Sequence, residues 1–303
     1  MAGLDENSIT EYLYNMKEQY FIMMGKKIAE GAMSEVFLYD TNKIIKLYRS
    51  DNGYSDLEYS NSLVLWNLGI ATPRPYERIN VGKRPGIVYE YIQGRDFTGE
   101  LIKNPAYQAR RMAKCLYDFN IHIPDGSHLL KELRSFETNF RIDLDKPTLL
   151  APAEKDKVLK HFLTLPHVNA LYHGDFNATN LLVSNDKIYV IDFISLSIGN
   201  PLADVMEMIL LYKYKVIPDR FPQEFKDAFY KERQTILTNF VDEYIRLSGF
   251  SYSDLQAWFL PVAAMQLSVG NIDSREADVL AHDIRLELLE HGSVNLNKCT
   301  DVI

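Results

Sequence analysis

The chain has 303 residues, 47% hydrophobic and 24% charged, an ordinary globular composition with enough length for a large core in about two domains. A net charge of −8 with no basic stripe argues against a general nucleic-acid binder. The acidic N-terminus has no apolar stretch of signal-peptide type, and apolar runs no longer than "AWFLPVAAM" at 257–265 cannot cross a bilayer. Cys115 and Cys299 share no metal or redox spacing and read as free thiols of a reducing cytoplasm.

Residues 8–20, "SITEYLYNMKEQY", set apolar and aromatic residues at helical spacing behind Ser8, with Glu11 three residues on; a leading helix within 1–22 is expected. The period then changes. "KKIAEGAMSEVFLYDTNKIIKLY" (26–48) alternates in short runs and predicts three consecutive antiparallel strands. Residues 55–68 are helix-like and stop at Gly69, with "ATPRP" as a breaker beyond. "YERINVGKRPGIVYEYIQG" (76–94) reads as a hairpin whose second strand is apolar enough to be interior. "QGRDF" (93–97) marks the boundary between two regions, 1–96 and 97–303. Beyond it the pattern is mainly helical, with candidates at 105–122, 127–137, 153–163, 203–214, 222–248, 253–269 and 275–291. The one clear strand signal there is "LLVS", the turn "ND", then "KIYVID", because Asn and Asp tolerate the left-handed backbone of a tight turn.

Chemistry concentrates in 171–193, "LYHGDFNATNLLVSNDKIYVIDF". Five residues carry the chain from Asp175 to Asn180, enough for a loop to turn both side chains to one point, and the hairpin can return Asp192 toward Asn180. An amide oxygen and a carboxylate suit Mg²⁺, and a second carboxylate, Asp175, can take or orient a hydroxyl proton. Taken alone, the stretch reads more readily as a turn with two incidental aspartates, since short motif matches are often accidental. Upstream residues decide between the two. Gly31, in "IAEGAMSEVF" (28–37), sits at a bend where backbone N–H groups and the Ser34 hydroxyl could contact phosphates, although an ordinary hairpin turn has the same pattern. Lys46 lies in an otherwise apolar strand. It is either a solvent-facing edge residue or buried with a carboxylate partner, and Glu58, twelve residues later, is available. The strand "IVYEYIQG" would offer backbone groups to an adenine edge.

The Gly-bend strand pair, the third-strand Lys46, the helix Glu58, the "VYEYI" run, H-G-D-x-x-x-x-N and I-D-F together resemble the aminoglycoside phosphotransferase and choline kinase-like family of small-molecule kinases. "GIATPRPYE" (69–77) and "IGNPLADVMEM" (198–208) are similar to the same group. The resemblance runs over residues 26–214. It implies an α+β, bilobal, protein-kinase-like fold. Residues 1–96 would form a nucleotide-binding lobe with an antiparallel sheet and one main helix, and 97–303 a mainly helical lobe holding the catalytic loop and hairpin. It implies Asp175 as the catalytic aspartate, Asn180 and Asp192 as Mg²⁺ ligands, and Lys46 on the α- and β-phosphates braced by Glu58. Gly31 and Ser34 would face the phosphates, and Glu90 and Ile92 would meet adenine through the backbone, with Tyr89 behind. His173 and Asp204 would support the loop.

The function so implied is ATP-dependent phosphoryl transfer, with GTP as the alternative donor, to a hydroxyl of a small molecule in the cytoplasm. No nucleic acid, membrane or obligate protein partner is expected. A non-catalytic nucleotide-binding scaffold and an atypical protein kinase are the alternatives. Lys46, Asp175, Asn180 and Asp192 are all retained, which disfavours the scaffold. Gly174 stands where protein-serine kinases have Arg, Ile194 where they have Gly, and six residues separate Asp192 from Gly199, too few for a peptide-presenting segment. Substrate selection is expected on the helices, from acids such as Glu207, Asp273, Glu276 and Asp278, which otherwise read as solvated helix faces.

Overall fold

A computed structural model describes residues 24–214, 217, 222–268 and 272–290; the expected leading helix and Cys299 lie outside them. The chain forms two compact units. Among the described residues, one holds those up to Arg95 together with Leu182–Ile194, and the other holds Asp96–Leu181 and those from Ser195 onward.

The first unit is built on a five-stranded antiparallel sheet in the order β1-β2-β3-β5-β4. Its strands are β1 (Lys27–Glu30), β2 (Ser34–Asp40), β3 (Lys43–Tyr48), β4 (Pro75–Val81) and β5 (Arg84–Glu90). Side chains alternate across a pleated strand, and that alternation sorts β3 and β5 into two faces. Ile45, Leu47 and Val88 pack on one face with Phe37, Tyr39, Ile79 and Val81. Tyr48, Ile87 and Tyr89 pack on the other with Ile44, Tyr59 and Ile194. Lys46 is in register with Ile87 and so belongs to the second face. Helix α1 (Tyr54–Asn67) buries Glu58, Asn61, Ser62 and Leu65, residues at the three- and four-residue spacing of one helical face. It ends as its sequence predicts: Gly69 takes a φ of +77°, its N–H reaches the Trp66 carbonyl, and the Ile70 N–H reaches that of Leu65.

The hairpin of this unit joins β9 (Leu181–Ser184) to β10 (Lys187–Val190). Asn185 (φ 49°) and Asp186 (φ 61°) are both left-handed, the pair of conformations that lets a two-residue turn follow the twist of its strands.

The division falls within β6 (Arg95–Asp96), and the second unit continues with α2 (Phe97–Lys103), then α3 (Pro105–Phe119). The Asp96 carboxylate caps α2 by accepting the N–H groups of Thr98 and Gly99. Helix α3 buries Gln108, Ala109, Met112, Ala113, Leu116 and Phe119, and its principal partner is the long helix Gln223–Ser248. Between them come α4 (Leu129–Glu132), β7 (Arg134–Ser135), α5 (Phe136–Asp145), α6 (Pro152–Phe162), β8 (Ala170–Tyr172), β11 (Ser197–Gly199) and α7 (Leu202–Tyr214). The long helix is α8, followed by α9 (Tyr252–Gln256), α10 (Phe259–Gln266) and α11 (Ser274–Glu290).

Two expected helices are not continuous. The candidate at 127–137 breaks into α4, β7 and α5, because Leu133 is extended and the Ser135 hydroxyl caps a new helix at the Thr138 N–H. The candidate at 253–269 breaks between α9 and α10, where Pro261 falls in the first turn of α10, the one part of a helix where a missing N–H costs nothing. A three-stranded sheet, β7-β11-β8, was not legible, since strands of two or three residues are too short to show a period. In that sheet Gly199 is required by close approach: a Cβ there would lie 2.6 Å from the Phe136 Cβ.

Candidate active site

In the first unit the sheet face just described directs Lys46 at α1. Its Nζ donates to both oxygens of Glu58, at 2.8 and 2.7 Å, and lies 3.4 Å from Asp192 Oδ1. Burial alone would pull the Lys46 ammonium down, but Glu58 and Asp192 outweigh it and hold the group above its ordinary value. Burial pushes Glu58 up, against the opposing pull of Lys46. The carboxylate is further satisfied by the Tyr48 hydroxyl and at 3.3 Å by that of Tyr89, which also shares a 2.8 Å hydrogen bond with Ser62. Glu58 is thus encased by one cation and two phenols.

Asp192 follows β10 with φ 69°, a left-handed conformation unusual for a non-glycine residue and costing on the order of 1 kcal/mol or more. The next residue is anchored: Phe193 is buried, and its carbonyl accepts the Asn61 side-chain N–H at 2.7 Å. Helix α1 therefore fixes both Lys46, through Glu58, and the Asp192–Phe193 segment, through Asn61. Tyr48, Asn61 and Ser62 were not singled out from sequence. Asn61 and Ser62 sit three and four residues past Glu58, and that spacing alone was the available signal.

The remaining residues of this unit are placed as follows. The Gly31 N–H closes the β1–β2 bend on the Ser34 carbonyl at 2.9 Å, and a Cβ on Gly31 would meet nothing nearer than 3.8 Å, so the turn itself does not demand glycine. Ser34 is buried at the head of β2, opposite Tyr48. Glu90 ends β5 with its N–H on the Arg74 carbonyl, and Ile92 follows, half-buried.

The second unit holds the rest of the motif at the end of β8. Asp204, on the first turn of α7, accepts the N–H groups of His173 and Gly174, each at 2.9 Å, and the side-chain N–H of Asn120 at 2.8 Å. Burial pushes its carboxyl up to about 6 although these three donors oppose the shift. Asn120 is itself fixed, donating to the Leu171 carbonyl and accepting from the Tyr244 hydroxyl. His173 is fully buried against Phe119 and Phe176, and its Nδ1 accepts the Asp175 N–H at 3.2 Å. Gly174 takes φ +77°, with a would-be Cβ 2.7 Å from that of Ser195, so a side chain is excluded there on two counts.

The Asp175 carboxylate is held by two amides: Asn177 Nδ2 donates to Oδ1 at 3.0 Å and Asn180 Nδ2 to Oδ2 at 2.9 Å. Asn177 is in turn fixed by the Thr179 N–H and hydroxyl on its Oδ1, an Asx turn that the "N-A-T" spelling could have revealed. Nearby, the Tyr172 hydroxyl donates to Glu207, whose carboxyl burial pushes well up, reinforced by the negative charges of Asp204, Asp175 and Asp143. Of the other helix acids, Asp273 and Asp278 are exposed and Glu276 is half-buried.

This α+β architecture is that of kinase-like phosphotransferases of known structure. The aminoglycoside phosphotransferase APH(4)-Ia matches with a TM-score of 0.62 and 14% identity over 93% of this chain and 100% of its own. A choline/ethanolamine kinase family protein from Mesorhizobium loti matches with 0.57 and 15%, over 88% and 87% of the two chains. The choline kinase LicA from Streptococcus pneumoniae gives 0.54 and 13%, over 93% and 99%. At such identities the likeness is one of fold, and none of the curated proteins matches the chain. The family itself is given by sequence: the model of the phosphotransferase enzyme family matches residues 25–246, and the chain belongs to that family. No described helix is long and apolar enough to cross a membrane.

Proposed function

We propose that the protein is an ATP-dependent O-phosphotransferase that moves the γ-phosphoryl group to a hydroxyl of a small molecule, either an antibiotic such as an aminoglycoside or an amino-alcohol or sugar metabolite. The observation that carries this reading is the Lys46 ammonium, held by Glu58 and 3.4 Å from the Asp192 carboxylate. Phosphoryl transfer is catalysed chiefly by positioned charge, and a fixed cation beside a carboxylate is one half of that requirement. A thermostable mutant of APH(4)-Ia, a neighbour at 14% identity, has been solved with AMP-PNP and hygromycin B, which supports a nucleotide and a small acceptor as the ligands.

In this reading Lys46 binds the α- and β-phosphates and Glu58 keeps it from swinging away. The Gly31–Ser34 bend covers the phosphates with backbone N–H groups. The Glu90 N–H is bonded to the Arg74 carbonyl, and the Glu90 carbonyl and the Ile92 N–H meet adenine. Asp192 and Asn180 fit Mg²⁺, since both supply hard oxygen donors, and Asn180 commits its amide nitrogen to Asp175, leaving the amide oxygen for a cation. Bound Mg²⁺ would neutralise charge developing on the phosphate oxygens. Asp175, held in one orientation by two amides, accepts the proton of the attacking hydroxyl. Only Ile194, Ser195 and Leu196 lie between Phe193 and β11, which favours a small acceptor over a peptide.

The test is an ATP-consumption screen across aminoglycosides, macrolides, amino alcohols and sugars, repeated with Asp175→Asn. Nucleotide affinity by calorimetry should be nearly unchanged in the variant while turnover falls by a factor of about 10² or more. Wild-type turnover in Asp175→Asn would overturn the assignment.

A further inference from the structure

The second unit contains a cavity of about 230 Å³ that none of the proposed chemistry uses. Its walls are the aromatic side chains of Phe136, Phe162 and Trp258, with Leu130 and Ile198 beside them. The rings meet edge to face, Phe136 and Phe162 each standing 78° to Trp258 at centroid distances of 5.5 and 6.1 Å. Glu137 and Asn169 also line it.

The cavity is separate from the Asp175 loop. His167–Asn169 line it and precede β8, whereas His173–Asp175 follow β8; three residues of strand span about 10 Å. The Gly199–Asn200 pair of the "IGNPLAD" run, which supplies no group to phosphoryl transfer, also lines it. Asn200 spends its amide on the Pro166 carbonyl and the Leu202 N–H.

The polar chemistry of the lining favours hydrogen-bond donors on the ligand. Among the described residues no Lys or Arg lines the cavity, although His167 does. Glu137 is paired with Arg141 through Oε1, and Asn169 uses its side-chain nitrogen on Asp125 and its backbone carbonyl on the Ile123 N–H, so Glu137 Oε2 and Asn169 Oδ1 remain as acceptors. Apolar aromatic walls with a few oriented polar groups are the usual make-up of a small-molecule site. Aromatic walls with acceptors beside them suit a ring carrying N–H donors, and work against phosphate or carboxylate ligands, which bring acceptors only. We propose that this cavity is a second binding site, distinct from the phosphotransfer site, for a small aromatic amine of about ten non-hydrogen atoms at protein packing density.

Trp258 supplies the readout. The chain has two tryptophans, so Trp66→Phe leaves emission from Trp258 alone. In full-length Trp66→Phe protein, phenethylamine should change that emission saturably, and phenylacetate, with the same ring and the opposite charge, should bind at least tenfold more weakly. Leu130→Phe, which fills the cavity, should weaken phenethylamine by tenfold or more. Glu137→Gln should bring the two ligands' affinities together, and it remains informative if Leu130→Phe fails to fold. Asp175→Asn should leave binding unchanged. No saturable response in a folded Trp66→Phe protein, or equal responses to both ligands, overturns the proposal; loss of binding in Asp175→Asn would place the cavity in the catalytic site. The titration uses no ATP, so its failure leaves the phosphotransfer reading standing.

Discussion

Lys46 shows how burial turns an ordinary side chain into a fixed charge. Removing one partner of a buried ion pair leaves the other uncompensated, at a cost of about 3 kcal/mol or more. Lys46→Met should therefore lower stability to urea by about that amount, and adding Glu58→Gln should recover at least half of it, since the phenols of Tyr48 and Tyr89 can still bond a neutral amide. Strict additivity of the two changes in a double-mutant cycle would show that the pair is not coupled. Asp204 makes a prediction about pH. Its native carboxyl titrates near 6 against an ordinary 3.8, so the folded protein binds that proton more tightly than the unfolded chain. The resulting stabilisation, about 3 kcal/mol, is present below about pH 4 and is lost as pH rises through 6. Asp204→Asn abolishes this contribution, and unfolding free energies of the variant should vary less between pH 4 and 7 than those of the wild type by about that amount.

Among the elements, the loop after β8 is the least tolerant. Gly174 combines a positive φ with a Cβ position occupied by Ser195. Gly174→Ala should cost about 2–3 kcal/mol and depress turnover even where the protein remains folded, because the Asp175 N–H and the Asp204 contacts move with the loop. Circular dichroism melts and kcat measured on the same sample separate the two effects. Helix α1 acts as a single brace: Glu58 holds Lys46 and Asn61 holds Phe193. Asn61→Ala should leave α1 itself intact and weaken the Asp192 segment. The hairpin turn at Asn185–Asp186 and the end of α1 at Gly69 were readable from sequence, because turn and cap conformations depend on residues within a few positions. The breaks at Leu133 and before Pro261 were harder to read, since apolar periodicity runs through them. The Ser135 cap and the proline's need for a first-turn position were the signals that mattered.

For the whole molecule, the chain crosses between its two units after Arg95, after Leu181 and after Ile194, so one short motif contributes to both: Asp175 and Asn180 belong to the helical unit, Asp192 to the sheet unit. Binding of a nucleotide with its metal stabilises the folded state by mass action, about 2.7 kcal/mol at a hundredfold excess over Kd. MgATP should accordingly raise the melting temperature by several degrees, EDTA should remove most of that gain, and Asp192→Ala should lose the metal-dependent part while keeping a residual shift from ATP alone. An Asp192→Ala protein with an unchanged Mg²⁺-dependent shift would overturn its proposed role as a metal ligand.

By itself, the sequence determined the α+β class, the strand and turn pattern from Lys27 to Glu90 and the order of the Lys46, Asp175, Asn180 and Asp192 motifs, because period, turn chemistry and spacing are local properties. Only the tertiary structure decided which of two open readings applied to Lys46, since a strand's buried face is chosen by what packs on it. It also decided that Glu58 shares its charge with Tyr48 and Tyr89, and that Asp204 ties His173, Gly174 and Asn120 together. Those partners come from distant parts of the chain, and a buried carboxylate takes whichever donors the packed fold brings to it.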